Sequence, residues 1–254
     1  MRILVNDNEW SGATREGEDN GEFIPLQLAG DCRPDCPICG GLGWLRRDLP
    51  IDDPLFGRAA ICPNRSCDVL GRDSGLNARE LGLRWAGVAD LNNALAAVRA
   101  VKAALERGAG WVTLWGGTGL GKTLILQTAV AEAIQGQRPA RYTRMTDVID
   151  NLRASFDQES TRGEEGRRMD SWAGLPILAI DEADRMRSSD YADEKRFSLL
   201  DRRYQAALRG SSITLLASNS DPRGWGDYLA SRVFDGRFAV IRMIGQDARP
   251  LVDW

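Results

Sequence analysis

Residues 116–123 carry the most specific chemical pattern of the chain: two glycines separated by four residues, then lysine and threonine. The spacing matches the phosphate-binding loop G-x-x-x-x-G-K-[ST]. Glycines let successive backbone N–H groups point at one anion, and the N-terminus of a following helix adds partial positive charge. We predict that Lys122 bridges the β- and γ-phosphates of ATP and that the Thr123 hydroxyl holds Mg²⁺. The predicted nucleotide-binding residues are Gly116, Gly117, Thr118, Gly119, Leu120, Gly121, Lys122, Thr123 and Leu124.

Two adjacent carboxylates, Asp181 and Glu182, follow the apolar run 176–180. A buried strand that ends in two acids, beyond a phosphate loop, is typical of ATPases. We predict that Asp181 binds on the Mg²⁺ side of the nucleotide and that Glu182 polarises the attacking water. The alternative is a pair of acids that caps the next helix. A small-molecule kinase more often lacks the second acid, since it must avoid attack by water, so the pair favours ATP hydrolysis.

A third polar position, Asn219, follows the apolar run 212–217. We expect this strand to lie between the phosphate-loop strand and the acidic strand, so that Asn219 orients the lytic water or contacts the γ-phosphate. Alternatively, Ser218 and Asn219 cap the turn that precedes Asp221.

All five cysteines lie between Cys32 and Cys67, as two close groups. In a chain without a secretory signal this predicts a tetrahedral zinc site with the ligands Cys36, Cys39, Cys62 and Cys67. Cys32 could replace one ligand, and a set of reduced, buried thiols is the alternative. Four protein ligands leave no open position, so the zinc would be structural. The segments 44–47 and 58–61 could supply a two-stranded ribbon.

The composition excludes several classes of protein. The chain has 254 residues, a net charge of −3 and 43% hydrophobic residues, so DNA binding would need a local basic patch. It has no histidine, which excludes histidine-based catalytic triads and histidine-ligated metals. No apolar run approaches the ~20 residues of a membrane span, and residues 1–10 are no signal peptide. We therefore expect a cytoplasmic protein that does not interact with membranes.

The residues with chemical roles must be positioned by alternating strands and helices. This alternation predicts an α/β P-loop NTPase fold, AAA+/RecA-like, whose parallel sheet has helices on both faces and ligands at its carboxyl edge. The predicted strands are 111–115, 140–145, 176–180, 212–217 and 238–243. The predicted helices are 122–134, 147–156 (capped by Thr146), 193–208 and 228–234, with a surface loop at 158–168.

The predicted organisation has four parts: an N-terminal extension at 1–31, a zinc-binding module at 32–72, a helical linker at 73–108 and an ATPase domain at 109–254. In the linker a helical spacing is kept by Leu91, Leu95, Val98, Val101, Lys102 and Leu105. This helix should pack against the nucleotide domain and end at Gly108.

The phosphate loop, Ile180-Asp181-Glu182, the strand ending in Asn219 and Ser231-Arg232 together resemble the AAA+ ATPases. More narrowly, the chain resembles bacterial replicative helicase loaders of the DnaC/DnaI type, whose zinc-binding N-terminal region is similar to segments 36–44 and 62–67 here. The resemblance covers about residues 32–245. It implies that Arg232, or Arg237 in its place, acts as an arginine finger in the ATP site of a neighbouring subunit. The chain ends soon after its last strand, so we expect no C-terminal helical lid.

The resemblance implies an ATP-hydrolysing DNA replication factor that loads a hexameric replicative helicase onto single-stranded DNA and self-associates through its ATP sites. Arg144 and Arg153 would line a path for the DNA. The first alternative is the ATPase helper of an insertion-sequence transposase, whose relatives usually lack a four-cysteine ribbon. The second is a P-loop kinase of small molecules that uses the ribbon to oligomerise.

Overall fold

A computed structural model of the chain divides into two compact units, Met1–Ser66 and Cys67–Trp254. The structure describes residues 23–25, 39, 44–47, 50, 59–62, 67–89, 94–154, 163–186 and 189–247. Within these ranges, no helix is both long enough and apolar enough to span a membrane.

The described part of the first unit contains a three-stranded antiparallel sheet in the order β1-β2-β3. Its strands are β1 (Phe23–Pro25), β2 (Trp44–Arg47) and β3 (Ala59–Ile61). The two segments that could form a ribbon do pair, with Leu45 opposite Ala60, and β1 adds a third strand that the sequence did not predict. Cys39 and Cys62 are fully buried. Cys32, Cys36 and the side chain of Cys67 lie outside the described residues, so the zinc site stays a prediction.

The second unit is built on a five-stranded sheet in the order β5-β6-β7-β4-β8. All its strand pairs are parallel, which confirms the predicted sheet. The strands are β4 (Gly110–Trp115), β5 (Ala140–Arg144), β6 (Ile177–Asp181), β7 (Ile213–Ser218) and β8 (Ala239–Arg242). The central strands β6 and β7 are buried along their whole length, as their continuous apolar runs predict.

Helices cover both faces of this sheet, and each face has its own hydrophobic cluster. One cluster contains residues of α1–α5, and the other contains residues of α6–α9. The helices are α1 (Cys67–Asp73), α2 (Ala78–Leu81), α3 (Ala86–Ala89), α4 (Leu95–Arg107), α5 (Lys122–Gln135), α6 (Met145–Arg153), α7 (Glu164–Ala173), α8 (Asp190–Leu208) and α9 (Asp227–Val233), with a 3₁₀ turn at Pro222–Trp225.

Helix α4 packs on the nucleotide-binding sheet and ends at Gly108, whose φ is 71°, both as predicted. Its buried face matches the predicted one at Val101 and Leu105 and differs from it at Leu95. Ala97, Val101 and Ala104 face the core, whereas Leu95 is 61% exposed. Small alanines allow the helix to approach the sheet closely, so the leucine at its first turn is not needed in the core. Leu91 lies outside the described residues.

The predicted cap at Thr146, with the helix beginning at Asp147, is wrong. Helix α6 begins at Met145, and no side chain caps it. Met145, Val148 and Leu152 are fully buried on one face of α6. Burial of Met145 therefore decides where the helix begins, ahead of the local capping preference of threonine.

Part of the predicted surface loop 158–168 is helical, since α7 begins at Glu164. This helix buries only two residues, Met169 and Trp172, so its apolar periodicity is too sparse to indicate a helix in the sequence. Helix α8 also begins earlier than predicted, because Ser189 accepts a hydrogen bond from the backbone N–H of Ala192 and caps it.

Candidate functional site

The predicted phosphate loop joins the buried strand β4 to helix α5. Gly116, Gly119 and Gly121 all have positive φ, at 145°, 72° and 84°, a conformation that other residues rarely adopt. A side chain at Gly116 would also overlap the backbone oxygen of Met243. Gly117 and Thr118, in the middle of the loop, are exposed. The loop thus has a conformation that favours glycine at these positions. Gly117 and Thr118 are accessible to a ligand, while Gly119 lies against the Asp247 carboxylate.

Lys122 begins α5 and is only 6% exposed. Its ammonium donates hydrogen bonds to the carbonyl oxygens of Gly116, at 2.7 Å, and Gly117, at 2.6 Å. Burial lowers the pKa of Lys122, and the nearby carboxylates of Asp181 and Asp184 oppose that shift. The loop therefore holds a partly desolvated cation beside its own exposed centre.

Asp181 ends β6 and is 5% exposed. One of its oxygens accepts hydrogen bonds from the Thr123 hydroxyl, at 2.6 Å, and from the Tyr142 hydroxyl, at 2.9 Å. The other accepts the backbone N–H of Glu182 at 2.8 Å. Thr123 and Asp181, the two predicted Mg²⁺ ligands, are therefore in direct contact, although 58 residues separate them.

Tyr142 is a site residue that the sequence analysis missed. It lies on β5, next to β6 in the sheet. Burial and the adjacent Asp181 carboxylate raise the pKa of Tyr142, so its hydroxyl remains a hydrogen-bond donor to Asp181. The only sequence signal was an aromatic residue with a polar end near the carboxyl end of a core strand.

Glu182 adopts a left-handed backbone conformation, with φ at 48°. For a residue other than glycine this costs about 1–3 kcal/mol and occurs mainly at functional sites. The next residue, Ala183, donates its backbone N–H to Ala217 of β7 at 2.8 Å, which fixes the turn. The Glu182 carboxylate accepts a hydrogen bond from Arg185 at 3.2 Å. The predicted base is thus paired with a solvent-exposed arginine.

Asn219 follows β7, which lies between β4 and β6 as predicted. Its backbone N–H donates to one oxygen of Asp184 at 3.2 Å, and the N–H of Ser220 donates to the other at 2.9 Å. Burial alone would raise the pKa of Asp184, but hydrogen bonds from the Ser220 side chain and from the backbone of Asn219 and Ser220 outweigh it and leave the pKa lowered. Ser218 donates its hydroxyl to the Ser220 carbonyl at 2.7 Å, so it closes the turn, as the alternative interpretation held. Asp184, which the sequence analysis did not single out, fixes the segment that carries Asn219.

Arg232, the predicted arginine finger, contacts residues of its own subunit. It forms an ion pair with Asp201 and a hydrogen bond with the Tyr228 hydroxyl, and its guanidinium lies 4.0 Å from the Tyr228 ring centre. Its side chain is only 11% exposed. The side chain of Arg237, the predicted substitute, is 63% exposed and pairs with Asp235 at 2.6 Å. Of the two arginines, Arg237 is the more accessible.

The two arginines predicted to line a DNA path lie near the carboxyl end of β5 and on α6. Arg144 is exposed at the start of α6. Arg153 pairs with Asp150 of its own helix at 3.8 Å.

The family model described as "IstB-like ATP binding protein" matches residues 93–235. The match includes the phosphate loop, Asp181, Glu182, Asn219 and Arg232. No curated protein sequence matches this chain.

Solved structures have a similar fold. AMPPCP-bound DnaA from Aquifex aeolicus is 21% identical over 62% of this chain and 49% of that one, with a TM-score of 0.52. The crystal structure of DnaI is 15% identical over 68% of this chain and 94% of that one, also with a TM-score of 0.52. The chain spans about half the length of the DnaA structure that it matches. At these identities the similarity shows the fold alone.

Proposed function

The chain belongs to the family of IstB-like ATP binding proteins, and we propose that it is an ATPase that loads a hexameric replicative helicase onto single-stranded DNA. Its second unit has a P-loop fold of the AAA+ type. The observation that best supports catalysis is the contact between the Thr123 hydroxyl and Asp181, beside the buried ammonium of Lys122. Three groups with the roles that ATP hydrolysis requires thus meet at one edge of the sheet.

The proposed mechanism assigns one task to each group. Lys122 binds the β- and γ-phosphates, where its charge offsets theirs. Thr123 and Asp181 would hold Mg²⁺, since a hydroxyl and a carboxylate are the oxygen ligands that this ion prefers. The bound ion would neutralise charge that develops on the phosphates.

The Glu182 carboxylate, once released from its hydrogen bond with Arg185, accepts a proton from the attacking water. Asn219 orients that water. Glu182→Gln should then bind ATP normally and lose about 100-fold or more in turnover, because the amide cannot act as the base. Phosphate release and binding of a fluorescent ATP analogue measure the two properties separately. Turnover at the wild-type rate would contradict the assignment.

Self-association through the ATP sites is the second part of the proposal. Arg237 is accessible in an isolated subunit, whereas Arg232 must first leave Asp201 and Tyr228. We propose that one of these arginines reaches the γ-phosphate of a neighbouring subunit. Arg232→Ala and Arg237→Ala test the two candidates. The variant that still binds ATP but no longer assembles in its presence identifies the arginine finger.

Zinc bound by four cysteines is the third part. The spacing of Cys36, Cys39, Cys62 and Cys67 supports it, as does the complete burial of Cys39 and Cys62, because thiolates suit zinc. Within the described residues, no cluster of three or more metal-ligating side chains is present. Protein purified without chelator should contain about one zinc per chain, and Cys62→Ser should lose it. Metal-free wild-type protein would refute this part.

The second candidate function is that of a transposase helper, and the IstB-like family favours it. The two candidates predict different partners. A loader stimulates a replicative helicase on DNA whose single strand is coated with a single-strand binding protein, and its ATP hydrolysis responds to single-stranded DNA. A transposase helper responds to duplex DNA and stimulates strand transfer.

Both assays should use the wild-type chain, with Lys122→Ala as the control that cannot bind ATP. Helicase stimulation by the wild type alone would support the loader. Stimulation of strand transfer without any effect on the helicase would contradict the loader function and support the transposase helper.

A further inference from the structure

A cavity of about 470 Å³ opens at the carboxyl edge of the sheet in the second unit. Trp115 and Arg242, the last residues of β4 and β8, are partners in the strand register and form one wall. Residues that follow β7 and α9 form the other. The lining residues are Trp115, Asp221, Arg223, Phe234, Val240 and Arg242.

The cavity lies on the opposite face of the sheet from α5. Trp115 follows Trp111 at an interval of four residues, so both side chains point to the same face of β4. Trp111, Phe234 and Val240 all belong to the hydrophobic cluster under α6–α9, whereas α5 packs in the other cluster. The cavity and the helix that follows the phosphate loop are therefore on different sides of the sheet.

Each arginine of the cavity lies against an aromatic ring. The Arg242 guanidinium is 5.0 Å from the ring centre of Trp115, and that of Arg223 is 4.7 Å from the ring centre of Phe234. Arg223 also pairs with Asp221 at 3.0 Å. No carboxylate in the described part of the chain pairs with Arg242. The cavity thus combines two aromatic rings with one cation, Arg242, that has no anionic partner among the residues that the structure describes.

We propose that this cavity binds one nucleotide unit, a base with its phosphate, of a single-stranded nucleic acid. A base stacks on an aromatic ring in the same way as the guanidinium does now, and arginine pairs with phosphate. The volume lies within the range of ordinary ligand sites. An acidic peptide would satisfy Arg242 alone, whereas a nucleotide also offers a base that can stack on Trp115 or Phe234 in place of a guanidinium, so the nucleotide fits better.

This inference deepens the proposed function and rests on it for the identity of the partner, because it locates where the DNA strand contacts the chain. Trp115 immediately precedes Gly116 of the phosphate loop, and the Trp115 carbonyl accepts the backbone N–H of Met243 at 2.7 Å. A strand bound in the cavity would thus contact the residue next to the ATP loop. This places the cavity where DNA could alter ATP turnover.

The test is fluorescence anisotropy of a fluorescein-labelled oligothymidylate, titrated with the full-length chain at several salt concentrations. Arg242→Gln should weaken binding by roughly tenfold and reduce the slope of log K against log salt by about 0.7, the value for one lost phosphate contact on a single strand. The matched control is Arg209→Gln, an exposed arginine beyond α8 at the amino edge of the sheet. It should leave both affinity and slope unchanged. Equal effects of the two substitutions would overturn the inference.

Stacking is tested independently. Phe234→Leu and Trp115→Leu should each weaken binding by roughly tenfold, with little change in the salt slope, because the lost contact is uncharged. Binding of a fluorescent ATP analogue shows whether Trp115→Leu disturbs the adjacent loop, and Phe234→Leu provides the same test at a residue farther from it. Unchanged oligonucleotide affinity in both variants would overturn the proposal.

Thymidine monophosphate distinguishes a strand from a free nucleotide. Weak competition by the monophosphate against the oligonucleotide supports a strand. Competition at equal concentration would overturn the strand as ligand and assign the cavity to a free nucleotide.

The inference and the proposed function can fail separately. If Arg242→Gln bound the oligonucleotide with wild-type affinity and loaded the helicase at the wild-type rate, the cavity would not be the DNA site, and the proposed loader function would stand. If oligonucleotide binding depended on Arg242 but the chain stimulated no helicase, the cavity would be the nucleic-acid site, and the proposed loader function would fail.

Discussion

Lys122 and Arg203 are both buried cations of the second unit, but their surroundings differ. Lys122 donates two hydrogen bonds to carbonyls of the loop that contains it. Burial lowers the pKa of Lys122, and two nearby carboxylates oppose that shift. Arg203 is fully buried, and burial lowers its pKa to about 10. Its guanidinium donates to the Thr214 hydroxyl at 3.0 Å, the Ala173 carbonyl at 3.0 Å, and the carbonyls of Leu175 and Ile213.

The comparison indicates how a buried charge that serves a ligand differs from one that serves the fold. The bonds of Arg203 join α8 to β7 and to the segment between α7 and β6, so they use its donors inside the protein. Lys122 uses two of the three donors of an ammonium and lies at the exposed edge of the sheet. Its position suits an anion that arrives from solvent.

The largest effect is expected from Lys122→Ala. Nucleotide affinity should fall by about 100-fold or more, because the charge that offsets the phosphates is lost. The fold should persist, since the substitution removes a partly desolvated cation whose partners belong to an open loop. Titration with a fluorescent ATP analogue measures the affinity, and circular dichroism measures the melting temperature.

Lys102→Ala is the matched control, because Lys102 lies on α4 over the ring of Trp85, away from the loop. It should bind ATP as the wild type does. If Lys122→Ala unfolded the protein instead, Lys122 would resemble Arg203, and the distinction between the two cations would fail.

Arg203→Met should have the opposite pattern of effects. Methionine fills much of the space but leaves three carbonyls and one hydroxyl without donors, so the free energy of unfolding should fall by about 3 kcal/mol or more. ATP affinity, measured where the variant is still folded, should stay near that of the wild type.

The adjacent Arg202 provides the control. It pairs with Asp170 at the surface, with 46% of its side chain exposed. Its replacement by methionine should change stability by less than about 1 kcal/mol. Denaturant unfolding of both variants measures the difference in the free energy of unfolding. Equal losses would show that the buried Arg203 stabilises the fold no more than the exposed Arg202 does.

The same contrast explains how much of the site could be predicted from the sequence. The phosphate loop and the acidic pair are each recognisable from their local spacing. Because ligand-binding residues gather at the carboxyl edge of a parallel sheet, the two motifs are expected to meet there, as Thr123 and Asp181 do. Arg203 has partners that are distant along the chain, and nothing in the residues around it indicates which strand it reaches. Its role therefore requires the fold.

Asp184 and Tyr142 were missed for the same physical reason. Asp184 lies two residues after Glu182, but its hydrogen bonds go to a segment 35 and 36 residues away. Tyr142 reaches Asp181 across 39 residues. In the parallel sheet, these separations close only when the neighbouring strands pair. The phosphate loop, in contrast, is fixed within the chain segment that carries its signature.

The smallest effect is expected at Asp184, which positions the site and touches no ligand. Both of its oxygens accept backbone N–H groups of the Asn219–Ser220 segment. Asparagine can replace only one of these acceptors, so Asp184→Asn should lower kcat by about fivefold to tenfold and leave KM for ATP nearly unchanged. Alanine removes both acceptors and should lower kcat further.

Asp227→Asn, at an exposed carboxylate in the first turn of α9, is the control and should keep the wild-type rate. A purely structural role for Asp184 would reduce stability and leave kcat unchanged at temperatures where the variant is folded, so melting curves and steady-state kinetics together decide the question. Loss of rate without loss of ATP affinity, partly restored from alanine to asparagine, would place Asp184 with Lys122 among the groups that serve the ligand. Loss of stability alone would place it with Arg203.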